Sequence, residues 1–336
     1  MLFQKGARLW GQFQSSPQQP PRLLEQVNLA CQRRHYSPRT AESYVHWVRA
    51  YILFHSKRHP KELGAKDLER FLNHLAAERR VSASTQSQAL SALVFLYRHV
   101  LELELGWMEQ LVRAKQKRTL PVVLMPDEVR RVLSFMDGTP RLMADLIYGT
   151  DLRVLECVSL RVLDVDVDAR QIVVRSGKGA KDRVTLLPQN VCARLQQHLM
   201  ALATAHTEAC LRGAGYVPLP SALARKYPNA AQAWKWQYMF PSAALRRDEV
   251  SGRLMRWHMS PATLQKSFRA AVHQAKIHKH ATVHTLRHCF ATHLLQSGVD
   301  IRTIQTLMGQ SSVETTMIYT HVLPTQNHIL SPLDAL

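Results

Sequence analysis

RQIVVRSGKGAKDRVTLLP, residues 170–188, decides how the rest of the chain is read. Its two β-rich runs, RQIVVRS and DRVTLLP, flank the turn GKGAK, so the stretch predicts a β-hairpin with Lys178 at its tip. Helical patterns surround it. Upstream, PDEVRRVLSFM and RLMADLIYG have helical spacing; downstream lie QNVCARLQQHLMALATAH, then SPATLQKSFRAAVHQA with Ser260 as cap and Pro261 as first residue, then HTLRHCFATHLLQSG closed by Gly298. Residues 122–336 therefore predict a mostly helical domain with a small sheet.

A second helical group precedes it. Leu23, Leu24, Val27, Ala30 and Cys31 share one helical face, and Ser37 with Pro38 opens a second helix. Two further amphipathic segments, Leu68 to Ala76 and Ala89 to Val100, complete a four-helix domain over 21–105. A basic linker, 106–121, contains RAKQKRTLP. Residues 1–20 are rich in Gln, Ser and Pro and predict a disordered tail, because they offer little apolar surface to offset the entropy of ordering. The predicted fold class is mainly α with a small β-sheet.

Composition narrows the partner. At 336 residues with 46% hydrophobic residues, the chain accommodates about two domains with proper cores. Lys and Arg outnumber Asp and Glu by 44 to 25, a net charge of +19, and such a surface attracts polyanions. Nucleic acid leads; a ribosomal or membrane-surface role comes second. The helical domain's polar faces carry Arg33, Arg34, Arg39, Arg49, Lys57 and Arg58, beside the hydroxyl and amide donors of STQSQ. Five scattered cysteines without CxxC spacing indicate neither a disulfide framework nor a thiolate zinc site, and fit a reducing cytoplasm. No segment reaches the roughly 18 apolar residues of a spanning helix, so a soluble, cytoplasmic protein is expected.

Residues 213–242, approximately, form an insertion interrupted by prolines and dense in aromatics. Trp234, Trp236 and Tyr238 alternate with Lys235 and Gln237, with Arg225 and Lys226 just upstream. Aromatic faces among cations can stack unpaired bases; a core strand of large residues reads equally well.

Four basic side chains stand in settings that present them: Arg153 in GTDLRVLE, Lys178 at the hairpin tip, and His284 and Arg287 one turn apart in HTLRH. Two arginines suit a bidentate grip on a phosphodiester, and Tyr319, beyond the capping-box signature SSVE at 311–314, would supply a nucleophile. Each has a plainer alternative: Arg153 paired with Glu156, Lys178 solvated, His284 in a core, Tyr319 packed. His284 and His288 at four-residue spacing invite a zinc reading, but HTLRH lacks the glutamate of the metalloprotease motif.

The order Arg153, Lys178, HTLR and Tyr319, with GKGAKDR around the lysine and SSVETTMIYTHV around the tyrosine, resembles the tyrosine recombinases, the phage integrase family. The resemblance implies an N-terminal SAM-like domain that clamps DNA, and a mixed α/β catalytic domain. The insertion ALARKYPNAAQAWKWQYMFPS and the ending SPLDAL are similar to those of integron integrases. That branch implies recombination of mobile gene cassettes between a double-stranded site and a folded single-stranded hairpin, by a homotetramer in the synaptic complex of a bacterial nucleoid. It needs no cofactor or metal. On the matching positions Tyr319 would form a 3′-phosphotyrosine, Arg153 and Arg287 would stabilise the transition state, Lys178 would protonate the leaving 5′-oxygen, and His284 would assist proton movement. Arg39, Arg225, Lys226, Trp234 and Trp236 are the expected DNA-binding residues.

Two positions depart from the family pattern. Asp151 stands where the family has a glycine, a place asking for positive φ, and its carboxylate is expected either to pair with Arg153 or to repel the phosphate. Gln310 stands where the family has His or Trp; it can donate a hydrogen bond but cannot titrate. A catalytically weakened or inactive DNA-binding relative is therefore the alternative expectation.

Overall fold

The computed structural model describes residues 22–106, 121–175, 182–248 and 251–309, mostly as helix, with one three-stranded and one two-stranded sheet. The expected tail, most of the expected linker, the Lys178 turn, Gln310, the 311–314 capping signature and Tyr319 lie outside the described residues. The chain divides into two compact units, Met1–Arg118 and Thr119–Leu336.

In the first unit four helices, α1 (Leu23–Arg33), α2 (Pro38–Phe54), α3 (Ala65–Ala77) and α4 (Ala83–Leu96), pack around one core. Their starts follow from side-chain caps: the Ser37 hydroxyl accepts the Thr40 amide at 3.1 Å, and the Ser82 hydroxyl accepts the Thr85 amide at 3.2 Å. The Ser82 cap starts α4 six residues before the expected Ala89, and the helix runs on through a π-helical turn, Tyr97–Leu101. Val27 and Cys31 of the expected α1 face are fully buried with Val48, Leu68, Leu72 and Leu93. Within this core the Tyr51 and Tyr97 hydroxyls lie 3.0 Å apart, and Tyr97 also reaches the Leu63 carbonyl at 3.0 Å, so neither phenol is buried without a partner.

The second unit begins with α5 (Pro126–Ser134), α6 (Gly138–Thr150) and α7 (Val154–Ser159). An antiparallel sheet follows, β1 (Val165–Asp166), β2 (Gln171–Val174) and β3 (Arg183–Leu186) in that order, with Ile172 paired to Thr185. After α8 (Gln189–Leu211) and the short α9 (Ser221–Lys226) come the hairpin β4 (Pro241–Arg247) and β5 (Leu254–His258), then α10 (Pro261–Gln274), α11 (Val283–Gln296) and α12 (Ile301–Met308). The centre is α6, which packs against α5, α7, α8, α10, α11 and β3. Its Met143, Leu146 and Ile147 are fully buried, each removal from water contributing about 1.5–3 kcal/mol.

Two features aim the C-terminal end of α6 at its neighbours. β3 turns Arg183 and Thr185 inward while Val184 and Leu186 are exposed, and the Thr185 hydroxyl donates to the Thr150 carbonyl at 3.0 Å. α12, capped by Asp300 on the amides of Arg302 and Thr303, ends at Gly309 with φ +60°. A Cβ at Gly309 would stand 2.7 Å from Arg183 Cδ, so the close approach as well as the backbone angle demands glycine.

The sequence had not marked α7, α12 or the β4–β5 hairpin. β4 reads PSAALRR, with no β-branched residue, and its pairing has an irregularity between Pro241 and Leu245. The aromatic stretch of the insertion, expected as a base-stacking platform or a core strand, is not a strand: Trp234–Trp236 is a turn of 3₁₀-helix.

Candidate active site

Asp151 ends α6 in the left-handed conformation, φ +58°, and is fully buried. That turn sends the chain directly into α7, whose N-cap is Arg153. Glu156 completes a reciprocal cap: its carboxylate accepts the Arg153 amide at 2.9 Å and the Arg153 guanidinium at 2.6 Å. The same carboxylate takes a two-pronged grip from Arg183 on β3, at 2.8 and 3.1 Å. Glu156 thus bridges two guanidinium groups from different elements.

Arg287 arrives from α11. The sequence placed it among presented side chains, yet it is 3% exposed, because its position on α11 faces α6 rather than solvent. Its Nη2 donates to Asp151 Oδ2 at 2.7 Å, so Asp151 pairs with Arg287 and not, as expected, with Arg153. Arg153 has the plainer partner, Glu156, and its side chain remains 31% exposed. One turn before Arg287, His284 is exposed, and its ring stands edge-to-face with that of His288 at 4.7 Å.

The two carboxylates respond oppositely to this cluster. Burial alone would raise Glu156, but hydrogen bonds from Arg183 and Arg153 pull it down to about 2. Burial pushes Asp151 up to about 7 against the pull of Arg287, Arg183 and Arg153, since among the described residues a single arginine bond offsets its full desolvation. Burial and the nearby Arg287 and Arg153 charges lower His284; burial and His284 lower His288 to about 4. Neutral imidazole beside guanidinium is suited to accept a proton, and three arginines converging from α7, β3 and α11 are suited to hold an anion. Among the described residues no cluster of His, Cys, Asp and Glu is arranged to hold a metal ion.

Arg183 escaped the sequence reading. The sequence pattern pointed the other way: alternation sets Arg183 on the face of Thr185, and the apolar Val184 and Leu186 on the opposite face would have been read as the inner pair. Arg161 escaped it too, and it anchors the insertion. Its guanidinium donates to the Trp236 and Pro218 carbonyls at 2.5 and 2.8 Å and lies 4.4 Å from the Tyr238 ring centre and 5.8 Å from that of Trp236. Trp234 packs on the His206 ring at 5.7 Å. Both tryptophans are therefore half-buried with one face already occupied, whereas Arg225 and Lys226 on α9 are exposed. In the first unit Arg39 lines a groove of about 640 Å³ with Ser37, Ser43, Ser84, Ser87 and Gln88, so α2 and the early turns of α4 present hydroxyls and one cation together.

Residues 122–326 match the phage integrase family, and residues 23–107 match the phage integrase N-terminal SAM-like domain. An integrase/recombinase of Escherichia coli is 48% identical over 321 residues, 95% of each chain. The tyrosine recombinase XerA of Thermococcus kodakarensis is 33% identical over 308 residues, covering 90% of this chain and 92% of its own. Two solved structures share the fold at a TM-score of 0.58. One is the XerH site-specific recombinase bound to palindromic difH substrate, 19% identical, covering 89% of this chain and 81% of its own; the other is the Tn1549 transposon integrase in complex with transposon right end DNA, 15% identical, covering 93% and 96%.

Proposed function

The chain belongs to the phage integrase family and is a tyrosine site-specific recombinase, and from that premise we propose that it recombines integron gene cassettes through a 3′-phosphotyrosine. The Tyr319 oxygen attacks the scissile phosphorus as the bond to the 5′-oxygen breaks. Lys178 gives that leaving oxygen its proton, His284 takes up the tyrosine's proton, and a second 5′-hydroxyl reverses the step on a new partner. Arg153 and Arg287 hold the non-bridging oxygens, where the transition state gathers charge; loss of one such donor costs roughly 10²–10³ in rate. Arg183 and Glu156 position Arg153.

The observation that carries this reading is the convergence of Arg153, Arg183 and Arg287 beside His284 on three separate elements. The likeness of the fold to recombinases solved with DNA supports DNA as the partner. Arg39 and its hydroxyl-lined groove serve duplex phosphates, Arg225, Lys226, Trp234 and Trp236 serve extrahelical bases of a folded cassette site, and four copies form the synapse. The domain limits follow the same reading, with the helical domain at 21–105 and the catalytic domain from 122.

A nicked duplex carrying the recombination site tests the reading. A covalent protein–DNA adduct on a denaturing gel that disappears in Tyr319→Phe supports it; tight binding with no adduct supports a DNA-binding relative with weakened chemistry, which the Asp151–Arg287 ion pair favours as the second reading.

A further inference from the structure

Among the described residues, three buried side-chain atoms in the arginine cluster have no hydrogen-bond partner: Asp151 Oδ1, Arg183 Nε and Arg287 Nη1. Two of them are cationic donors and one is the oxygen of a carboxylate, all within the same few residues that the proposed reaction uses. Buried donors left open in this way carry a desolvation cost that an incoming anion would relieve. The cluster's charge shows who competes for that place. Arg153, Arg183 and Arg287 face Asp151 and Glu156, three positive groups against two negative ones, so ionised Asp151 leaves one net positive charge and neutral Asp151 leaves two.

We propose that Asp151 is an internal competitor for the anion that Arg287 grips: as a carboxylate it occupies the guanidinium, and as a neutral acid it releases Arg287 to a phosphate. The inference rests on the recombinase reading for the identity of that phosphate as the scissile one. Asp151 then acts through Arg287, as a positioning residue, and gates the site by proton uptake.

Geometry supports the competition. The pair is almost wholly shut from water, with Arg287 4% and Asp151 0% exposed at the side chain, so an anion and the carboxylate cannot both sit on Arg287 without mutual repulsion at low dielectric. The charged groups that act on the carboxyl are Arg287 from α11, Arg153 and Glu156 from the start of α7, and Arg183 from β3, with His284 next in line beside Arg287 and Arg153. Burial raises the carboxyl and the three arginines pull against it, which leaves it titrating at about 7, so the gate opens below neutrality and closes above it. A phosphate arriving beside it adds negative charge and raises it further, which couples binding to proton uptake. The folded value is above the ordinary one, so stability from this group is full below about pH 4 and is lost as pH rises through 7.

Both Asp151→Asn and Asp151→Gly tolerate the left-handed backbone and remove the charge. The full-length chain and both variants are titrated with orthovanadate, an anion of phosphate shape, and the rise in melting temperature is followed from pH 6 to 8.5. All three should respond alike at pH 6. Above pH 7 the wild type should need about tenfold more vanadate per pH unit than either variant for the same rise; parallel curves for all three overturn the gate. Should one variant fail to fold, the other carries the comparison. The nicked-site adduct separates the two claims. Adduct formation with parallel vanadate curves overturns the gate alone, and diverging curves with no adduct in any chain overturn the recombinase reading alone.

Discussion

Replacing Glu156 with Gln keeps the shape of the bridge between Arg153 and Arg183 and removes its charge. The side chain is 10% exposed and its carboxyl is held at about 2, against 4.5 for an ordinary glutamate. A shift of about 2.5 units is worth about 3 kcal/mol of folding stability at neutral pH, and about 2 kcal/mol after allowance for the partly exposed Arg153 partner. The folded value lies below the unfolded one, so this contribution is full above about pH 4.5 and lost as pH falls towards 2. Urea unfolding of the full chain should therefore show Glu156→Gln weaker by about 2 kcal/mol at pH 7, with the gap narrowing steadily below pH 4.5. A gap under about 0.5 kcal/mol at pH 7, or one that does not change with pH, refutes the bridging role. The opposite slope belongs to Asp151, whose contribution fades as pH rises, and the two carboxylates can be told apart by that sign alone.

Removing the Ser82 cap by Ser82→Ala should cost about 1 kcal/mol in a melting experiment and leave adduct chemistry unchanged at saturating DNA, because the cap serves only the start of α4. Alanine at both Trp234 and Trp236 should weaken binding of a folded cassette-site hairpin at least tenfold more than binding of a plain duplex, by gel shift; equal losses would return both rings to a purely structural role. Arg161→Ala should expose the insertion to limited proteolysis between 213 and 236, since two carbonyls of that segment lose their shared donor.

Local signals were legible in the sequence, and long-range ones were not. The Ser37 and Ser260 caps and the buried face of Val27 and Cys31 follow from neighbours a few residues away, the positive φ at Asp151 from the glycine of the family pattern, and each appears in the fold. The Asp300 cap that starts α12 was equally readable, with two amides on one carboxylate, and was passed over. What neighbouring residues do not encode is partnership across the chain. Asp151 and Arg287 are 136 positions apart, and Arg183 reaches Glu156 over 27. Nothing in GTDLRVLE distinguishes a carboxylate that pairs with its own arginine from one that pairs with α11. The burial of Arg287 was hidden for the same reason: its side of α11 is apolar only in company with α6. The positions of the cluster could be guessed from their order, while the direction in which each side chain spends its charge required the fold.

The covalent adduct tests the central claim most directly. Wild-type protein on a nicked duplex carrying its recombination site should yield a protein–DNA species that survives denaturation, falls roughly 10²-fold or more in rate in Arg287→Gln, and is absent in Tyr319→Phe. An adduct that persists in Tyr319→Phe, or site-specific binding with no adduct at any pH from 6 to 9, would contradict it.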